Sequence, residues 1–354
     1  MDYESGDRPN AWLHVAPAKN YSLTSKPLIP ENSPSVHQVG CAGILVVDTI
    51  CGPVKALPEP GQLAILDDIP STVGGCAANV ACSLAKQGVT VGAAGLVGED
   101  SAARLLRGQL HARQVDCSQV KSTTKQPTSQ TVVLLIEGQD RRFLHSFGAN
   151  RSFSVGQLNR DWIRELKVFY VGGLFAMPNF RTDELAELLK YCRSHNVATV
   201  VDVVASEDMR DFGQLDACLP HIDYFLPNDD EAARITGRSD PSEQARVFRD
   251  KGVDTTIVTL GEKGSLAMRG HDLWRTGTFP VEFVDMTGCG DAFDAGLISG
   301  VLKNWDLPRT LSYATALGGS CAQAIGAYDG VFTADETEAF LQTRQVNVEH
   351  TTIP

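Results

Sequence analysis

The second half of the chain alternates between two periodicities, and that alternation narrows the possible folds more than any other feature. Short apolar runs rich in β-branched residues occupy 168–171, 198–203, 224–226 and 256–260, and segments of helical spacing cover 183–195, 207–218, 229–235 and 242–251. Runs with no polar face belong to strands buried on both sides, and strands separated by helices are joined in parallel by crossovers. The pattern predicts a three-layer α/β/α sandwich around a mostly parallel central sheet. The run 41–47 reads as another such strand, ending on Asp48. A carboxylate at the carboxyl end of a buried parallel strand stands where open α/β sheets bind ligands.

After Asp48 the alternation breaks. Pro53, Pro58 and Pro60 interrupt the chain, and 63–69 reads as a strand closed by Pro70. Gly74 and Gly75 precede a helix expected to run to about Gln87 and to stop at Gly88. Paired glycines there either make the turn or leave bare backbone against a ligand; in the second case Asn79 offers a donor and an acceptor to ligand hydroxyls. One strand–helix unit follows (90–97, then 101–114), and then the runs 131–136 and 142–147 flank Glu137-Gly138-Gln139-Asp140 as a β-hairpin. With 63–69 this suggests a small sheet placed as a lid, its strands drawn from about 52–70 and 117–147. Arg141 and Arg142 near the hairpin tip are expected in solvent, or else reaching an acidic or phosphorylated substrate. Residues 1–37, rich in Pro, Ser, Asn and charge, read as a poorly ordered extension, 38–345 as the folded domain, and 346–354 as a tail. Helices are expected at 308–324 and 334–342, with a glycine-rich loop at 326–330 between them.

The stretch richest in chemistry is Thr287-Gly288-Cys289-Gly290-Asp291, a tight turn feeding a helix in which Phe293, Leu297 and Val301 recur at four-residue spacing. Two glycines flanking one residue let consecutive N–H groups point the same way, and the helix N-terminus adds roughly half a positive charge. The result is an anion cradle. Asp291 taken alone is equally a helix-starting residue; facing the cradle, it could take a proton from a hydroxyl that attacks a phosphoryl group held there. A Rossmann turn is unlikely because the position that should be small is Phe293, and no lysine is set in a Gly-Lys-Ser/Thr loop. Asp294, one turn on, is expected to face solvent or to touch substrate.

A formal charge of -12 argues against nucleic acid and anionic membranes as partners, and no run approaches the roughly 18 apolar residues of a membrane span. Nine cysteines without a Cys-x-x-Cys pair fit free thiols in a reducing cytoplasm better than a zinc site or a disulfide framework.

Six elements in order, Gly74-Gly75 with Asn79, Gly98-Glu99-Asp100, Gly148-Ala149-Asn150, Asn228-Asp229-Asp230-Glu231, Thr259-Leu260-Gly261 and Gly288-Cys289-Gly290-Asp291, resemble the ribokinase-like (PfkB-type) carbohydrate kinases across roughly residues 39–345. The resemblance implies phosphoryl transfer from ATP, with Mg2+, to a hydroxyl of a sugar; alternatives are a nucleoside kinase or a non-catalytic binding protein on the same fold. It assigns Asp291 as catalytic base and the N–H groups of Gly288, Cys289 and Gly290 as anion hole. Asp48, Gly74, Gly75 and Asn79 match substrate-holding positions. Asn228 and Glu231 match an element that orders Mg2+ through water, although the same pair alone is a capping box. Thr259 and Gly261 match the nucleotide-side wall, with Gly326 nearby, and Asp285 and Thr287 match the stretch that in some relatives binds a monovalent cation such as K+. Cys289 replaces the usual alanine, and a thiol at a helix N-terminus is open to a depressed pKa. Pairing of the lid edge with a second copy would make a homodimer.

Overall fold

Along the chain, strands β1 (Val39–Gly43), β2 (Val46–Val54), β3 (Ser71–Gly74), β4 (Val91–Gly98), β5 (Asp116–Thr123), β6 (Gln130–Ile136) and β7 (Arg142–Ser146) are joined by helices α1 (Cys76–Lys86) and α2 (Ser101–Ala112). There follow α3 (Arg160–Ile163), β8 (Val168–Gly172), α4 (Thr182–Ser194), β9 (Ala198–Val201), β10 (Tyr224–Phe225), α5 (Asp229–Thr236), α6 (Pro241–Asp250) and β11 (Thr255–Thr259). The last part holds β12 (Ser265–Arg269), β13 (Asp272–Thr276), α7 (Cys289–Leu302), α8 (Leu307–Cys321), α9 (Ala334–Thr343) and β14 (Val348–Thr352). The computed structural model describes residues 37–139, 141–205 and 212–353, so the expectation for the first 36 residues lies outside the described residues.

Ten strands form one sheet in the order β14-β13-β12-β11-β10-β9-β8-β1-β4-β5, parallel from β11 through β5 and antiparallel from β11 to β14. Consecutive side chains of its strands go to different cores. Val39, Cys41, Tyr170, Val200 and Ile257 pack with α1, α2, α7 and α8, whereas Ala42, Phe169, Val171, Val201 and Val258 pack with α4 and α6. This period-2 division of apolar strands between two helical layers produces the three-layer sandwich. The chain leaves β1 in both directions across the sheet, toward β4 and toward β8, so the carboxyl ends of β1, β8 and β9 open the crevice where such sheets place ligands. Among the described residues no helix is long and apolar enough to cross a membrane.

Several expectations change. The run 41–47 is not one strand: β1 ends at Gly43, and β2 begins at Val46 in a separate four-stranded sheet of order β3-β2-β6-β7. Gly43 has φ +150°, and a Cβ there would lie 2.1 Å from the Gly172 carbonyl oxygen. Buried Asn150 secures the break, its Oδ1 accepting from the N–H of Leu45 and its Nδ2 donating to the Leu45 carbonyl, so the backbone groups that leave one ladder are satisfied. Asp48 is therefore a residue of the small sheet.

Residues 63–69 do not form a strand. β2 is already flanked by β3 and β6, and Leu63 and Ile65 remain 86% and 87% exposed. Residues 116–123 extend the large sheet as β5 rather than the small one, and the expected tail contains β14, paired along β13. The antiparallel β12–β13 hairpin was not anticipated. Of the helix expected at 207–218, residues 207–211 lie outside the described residues and Gly213–Ala217 forms a short 3-10 turn.

Candidate active site

Helix α7 starts from Gly288, whose φ of +76° and lack of Cβ let the turn press against Ala327; a Cβ would meet the Ala327 carbonyl oxygen at 2.2 Å. Asp285 anchors this turn. Its Oδ1 accepts from the N–H of Thr287 at 3.0 Å and from Thr287 Oγ1 at 2.8 Å, and its Oδ2 accepts from the N–H of Gly326 at 3.1 Å. The N–H of Cys289 donates to the Met286 carbonyl at 3.2 Å, whereas those of Gly288 and Gly290 have no protein acceptor among the described residues. A Cβ added at Gly290 would meet nothing within 4 Å. The cradle is thus two amides without a protein acceptor and one engaged amide, at a helix N-terminus with free space beside Gly290.

Asp291, in the first turn of α7, is the residue that this cradle and the first third of the chain share. Asn79 Nδ2 donates to Asp291 Oδ2 at 2.9 Å, joining α1 to α7 over 212 residues of sequence. Asn79 is buried and its Oδ1 has no partner within the protein, which leaves an acceptor for a ligand hydroxyl. Burial raises the Asp291 carboxyl to about 6 against the hydrogen bonds from Asn79 and from the Cys76 thiol, and the charge of Asp48 adds to the rise. Asp48 is itself raised by burial, opposed by a hydrogen bond from Thr131. Its carboxylate occupies the space over Gly74, where a Cβ would lie 2.0 Å from Oδ2, while a Cβ at Gly75 would meet the Ile44 carbonyl oxygen at 2.5 Å. The two glycines admit the protein's own groups, and Asp48 and Asn79 carry the polar functions.

Three residues that the sequence reading did not assign to the site complete it. Cys76 Sγ and one oxygen each of Asp202 and Asp291 lie within 4.8 Å of one another. Asp202 follows β9, at the carboxyl end of a buried parallel strand, the same signal that was applied to Asp48 and that would have found it. Burial, then the charges of Asp294, Glu231 and Asp291, push its carboxyl well above the usual range. Asp294 is 3% exposed, so it does not face solvent; the Tyr170 hydroxyl donates to its Oδ2 at 3.0 Å, and burial first and Asp291 second raise its pKa. Packed carboxylates that cannot all ionise hold protons at neutral pH.

Asn228 and Glu231 form the capping box: Asn228 Oδ1 accepts from the N–H of Glu231 at 2.8 Å and Glu231 Oε2 from the N–H of Asn228 at 3.0 Å. The other oxygen of Glu231 accepts from the N–H of Ala205 at 3.4 Å, and burial raises its carboxyl to about 7. Thr259, at the end of β11, bridges to Asn228, and Gly261 opens the following turn. The Cys289 thiol is held below its ordinary pKa, first by a hydrogen bond from the Cys321 thiol rather than by the helix N-terminus on which the expectation rested, and Cys321 also donates to the Thr287 carbonyl at 3.3 Å. Asp285 and Thr287 do not present open oxygens: Arg141 of the β6–β7 hairpin donates from Nη1 to Asp285 Oδ1 at 2.6 Å and to Thr287 Oγ1. Asp202 lies close to Asp291 and feels the charge of Glu231, and the carboxylates of Asp202 and Glu231 are of the kind that suits a hard divalent cation, while the amides of Gly288 and Gly290 suit a phosphate.

A carboxylate at the head of an amide cradle, on a doubly wound sheet with a small second sheet beside it, defines a phosphotransferase of the ribokinase-like class. The sequence profile described as pfkB family carbohydrate kinase matches residues 37–334, and the chain belongs to that family. Fructoselysine 6-kinase of Escherichia coli K12 is 29% identical over 263 residues, covering 73% of this chain and 91% of that protein. Ribokinase of Haemophilus influenzae is 22% identical over 294 residues, covering 82% and 94%. Among solved structures, Arabidopsis thaliana ribokinase complexed with ribose and ATP superposes with a TM-score of 0.75 at 22% identity, covering 86% of this chain and 99% of that one. An Escherichia coli chain solved with ATP and Mg2+ gives the same TM-score and identity over 87% and 100%. The chain is a carbohydrate kinase that transfers phosphate from ATP to a sugar.

Proposed function

We propose that Asp291 is the general base of this transfer and that the acceptor is an uncharged sugar or sugar-like polyol. The observation that carries the reading is the 2.9 Å hydrogen bond between Asn79 Nδ2 and Asp291 Oδ2 at the mouth of the Gly288–Gly290 cradle. It fixes the carboxylate where a hydroxyl bound by Asn79 and Asp48 would present its proton. A carboxyl raised to about 6 is still ionised at pH 7 and is basic enough to accept that proton as the hydroxyl attacks. The Gly288 and Gly290 amides then hold the equatorial oxygens of the phosphoryl group as charge develops on them. Asp202, Glu231 and Asn228 are the residues that would hold Mg2+, through water where Glu231 is already engaged, and the ion would supply further neutralisation of the phosphate charge.

The carboxyls of Asp48 and Asp291 stand at the substrate end, which favours a neutral polyol over a sugar acid or sugar phosphate there. The ribokinase relatives are named for a sugar of the favoured kind, whereas the relatives named ATP-dependent 6-phosphofructokinase and ATP-dependent ribose-1-phosphate kinase are named for phosphorylated acceptors, which the substrate panel below separates. The small sheet serves as the lid: its hairpin reaches the anion loop through Arg141 and the substrate side through Thr131. Phe143 and Leu144, 55% and 63% exposed on its edge strand, support pairing of lids in a homodimer. ADP release measured against a panel of neutral sugars, sugar acids, sugar phosphates and nucleosides tests the reading. Turnover confined to anionic acceptors would overturn the substrate class, and an Asp291→Asn variant with wild-type turnover would overturn the base.

A further inference from the structure

The resemblance that places a monovalent cation beside the anion loop names Asp285 and Thr287 as its holders, and in this chain their side-chain oxygens do not fit that task. A cation needs lone pairs turned toward it. Asp285 Oδ1 is instead the meeting point of three donors, the N–H of Thr287 at 3.0 Å, Thr287 Oγ1 at 2.8 Å and Arg141 Nη1 at 2.6 Å. Asp285 Oδ2 is held by the N–H of Gly326 at 3.1 Å, and Thr287 Oγ1 accepts from Arg141 as well. The ion pair is sheltered, with the Asp285 side chain 13% and the Arg141 side chain 25% exposed. A guanidinium is always charged, so a second cation brought to the same carboxylate would meet repulsion that solvent screens only in part.

We propose that the Arg141 guanidinium replaces the monovalent cation at the anion loop, so that this kinase works without potassium and receives that charge from its lid. The inference rests on the base-and-cradle reading given above and adds a positioning residue to it. Arg141 leads into β7, and its Nη1 fixes the first two side chains of the turn whose amides form the cradle. It therefore acts on the phosphate through Asp285 and Thr287 and through its own field. The same hairpin carries Thr131, which stands beside Asp48 in the register of the small sheet, on the substrate side. A soluble ion would charge the loop whether the lid is open or closed; an arginine on the hairpin charges it only when the hairpin lies across the site. ATP bound without sugar under an open lid is then less exposed to attack by water.

The test uses the full-length protein with a sugar that it phosphorylates, assayed in potassium chloride and in tetramethylammonium chloride at equal ionic strength. Wild type is expected to change less than about twofold in kcat between the two salts. Arg141→Ala is expected to lose about 30-fold in tetramethylammonium, on the scale of removing one stabilising group from a charged transition state, and to regain about fivefold in potassium. Thermal melts give a readout apart from turnover: potassium should raise the Tm of Arg141→Ala and leave that of wild type unmoved. Arg141→Lys, which keeps a charge, should retain most of the activity in both salts. Wild-type activity that requires potassium, or Arg141→Ala with full turnover in its absence, would overturn the proposal. Failure of every sugar in every salt would instead count against the underlying function, which separates the two.

Discussion

Helices α5 and α7 both begin beside acids, and they treat their N-terminal amides in opposite ways. At α5 the donors are closed internally, with Asn228 and Glu231 exchanging side-chain-to-backbone hydrogen bonds at 2.8 and 3.0 Å. At α7 the capping position is Gly288, which has no side chain to offer, and the amides of Gly288 and Gly290 have no acceptor among the described residues. One helix start stabilises itself, and the other withholds its donors for something that is not protein. The same local rule, four orphan amides at every helix start, thus separates a structural terminus from a catalytic one once the capping side chain is known.

The sharpest way to break this contrast is Asp291→Asn. Turnover should fall by about 10³-fold or more, the upper part of the range for loss of a positioned base, while calorimetry still shows ATP and sugar binding. A second pair of variants separates the two glycines. Gly288→Ala forces a Cβ to within 2.2 Å of a backbone oxygen at positive φ and should cost roughly 2–4 kcal/mol in denaturant melts. Gly290→Ala puts a methyl group into empty space, so stability should hold while kcat/KM for ATP falls about tenfold or more. Wild-type kinetics in Gly290→Ala would mean that the phosphate lies elsewhere.

The acidity of the site gives a third handle. Because the base must be ionised, kcat/KM should rise with pH through about 6 and be lost below it. Stability runs the other way. A carboxyl whose folded pKa is raised from 3.8 to about 6 favours folding below 3.8, and that contribution is lost as pH rises through 6. Asp291→Asn should therefore be more stable than wild type by roughly 2 kcal/mol at pH 8 and equal to it at pH 3, somewhat less than the full shift implies because the group faces an open cavity. The smallest effect belongs to α5. Asn228→Ala should cost about 1 kcal/mol as a lost cap and raise the Mg2+ concentration for half-maximal activity only about threefold. A far larger Mg2+ effect would show that α5 is no more closed than α7.

The sequence by itself determined the layered α/β architecture, because apolar β-branched runs alternating with helical segments have one economical packing, and it marked the Gly288–Asp291 turn, because two glycines around one residue ahead of a helix are a local signal and the left-handed backbone at Gly288 needs one of them. It could not show that the run ending at Asp48 breaks between two sheets, since that depends on Gly43 meeting the Gly172 carbonyl and on Asn150 arriving from 105 residues away to hold Leu45. Nor could it place Arg141 or Asp294. An arginine at a hairpin tip and an acid one turn into a helix look solvated in one dimension; whether they are depends on which distant surface closes over them. Those neighbours, Asp285 for the arginine and Tyr170 for Asp294, are brought by the tertiary fold alone, because burial and charge pairing are properties of contacts between remote segments rather than of any local stretch.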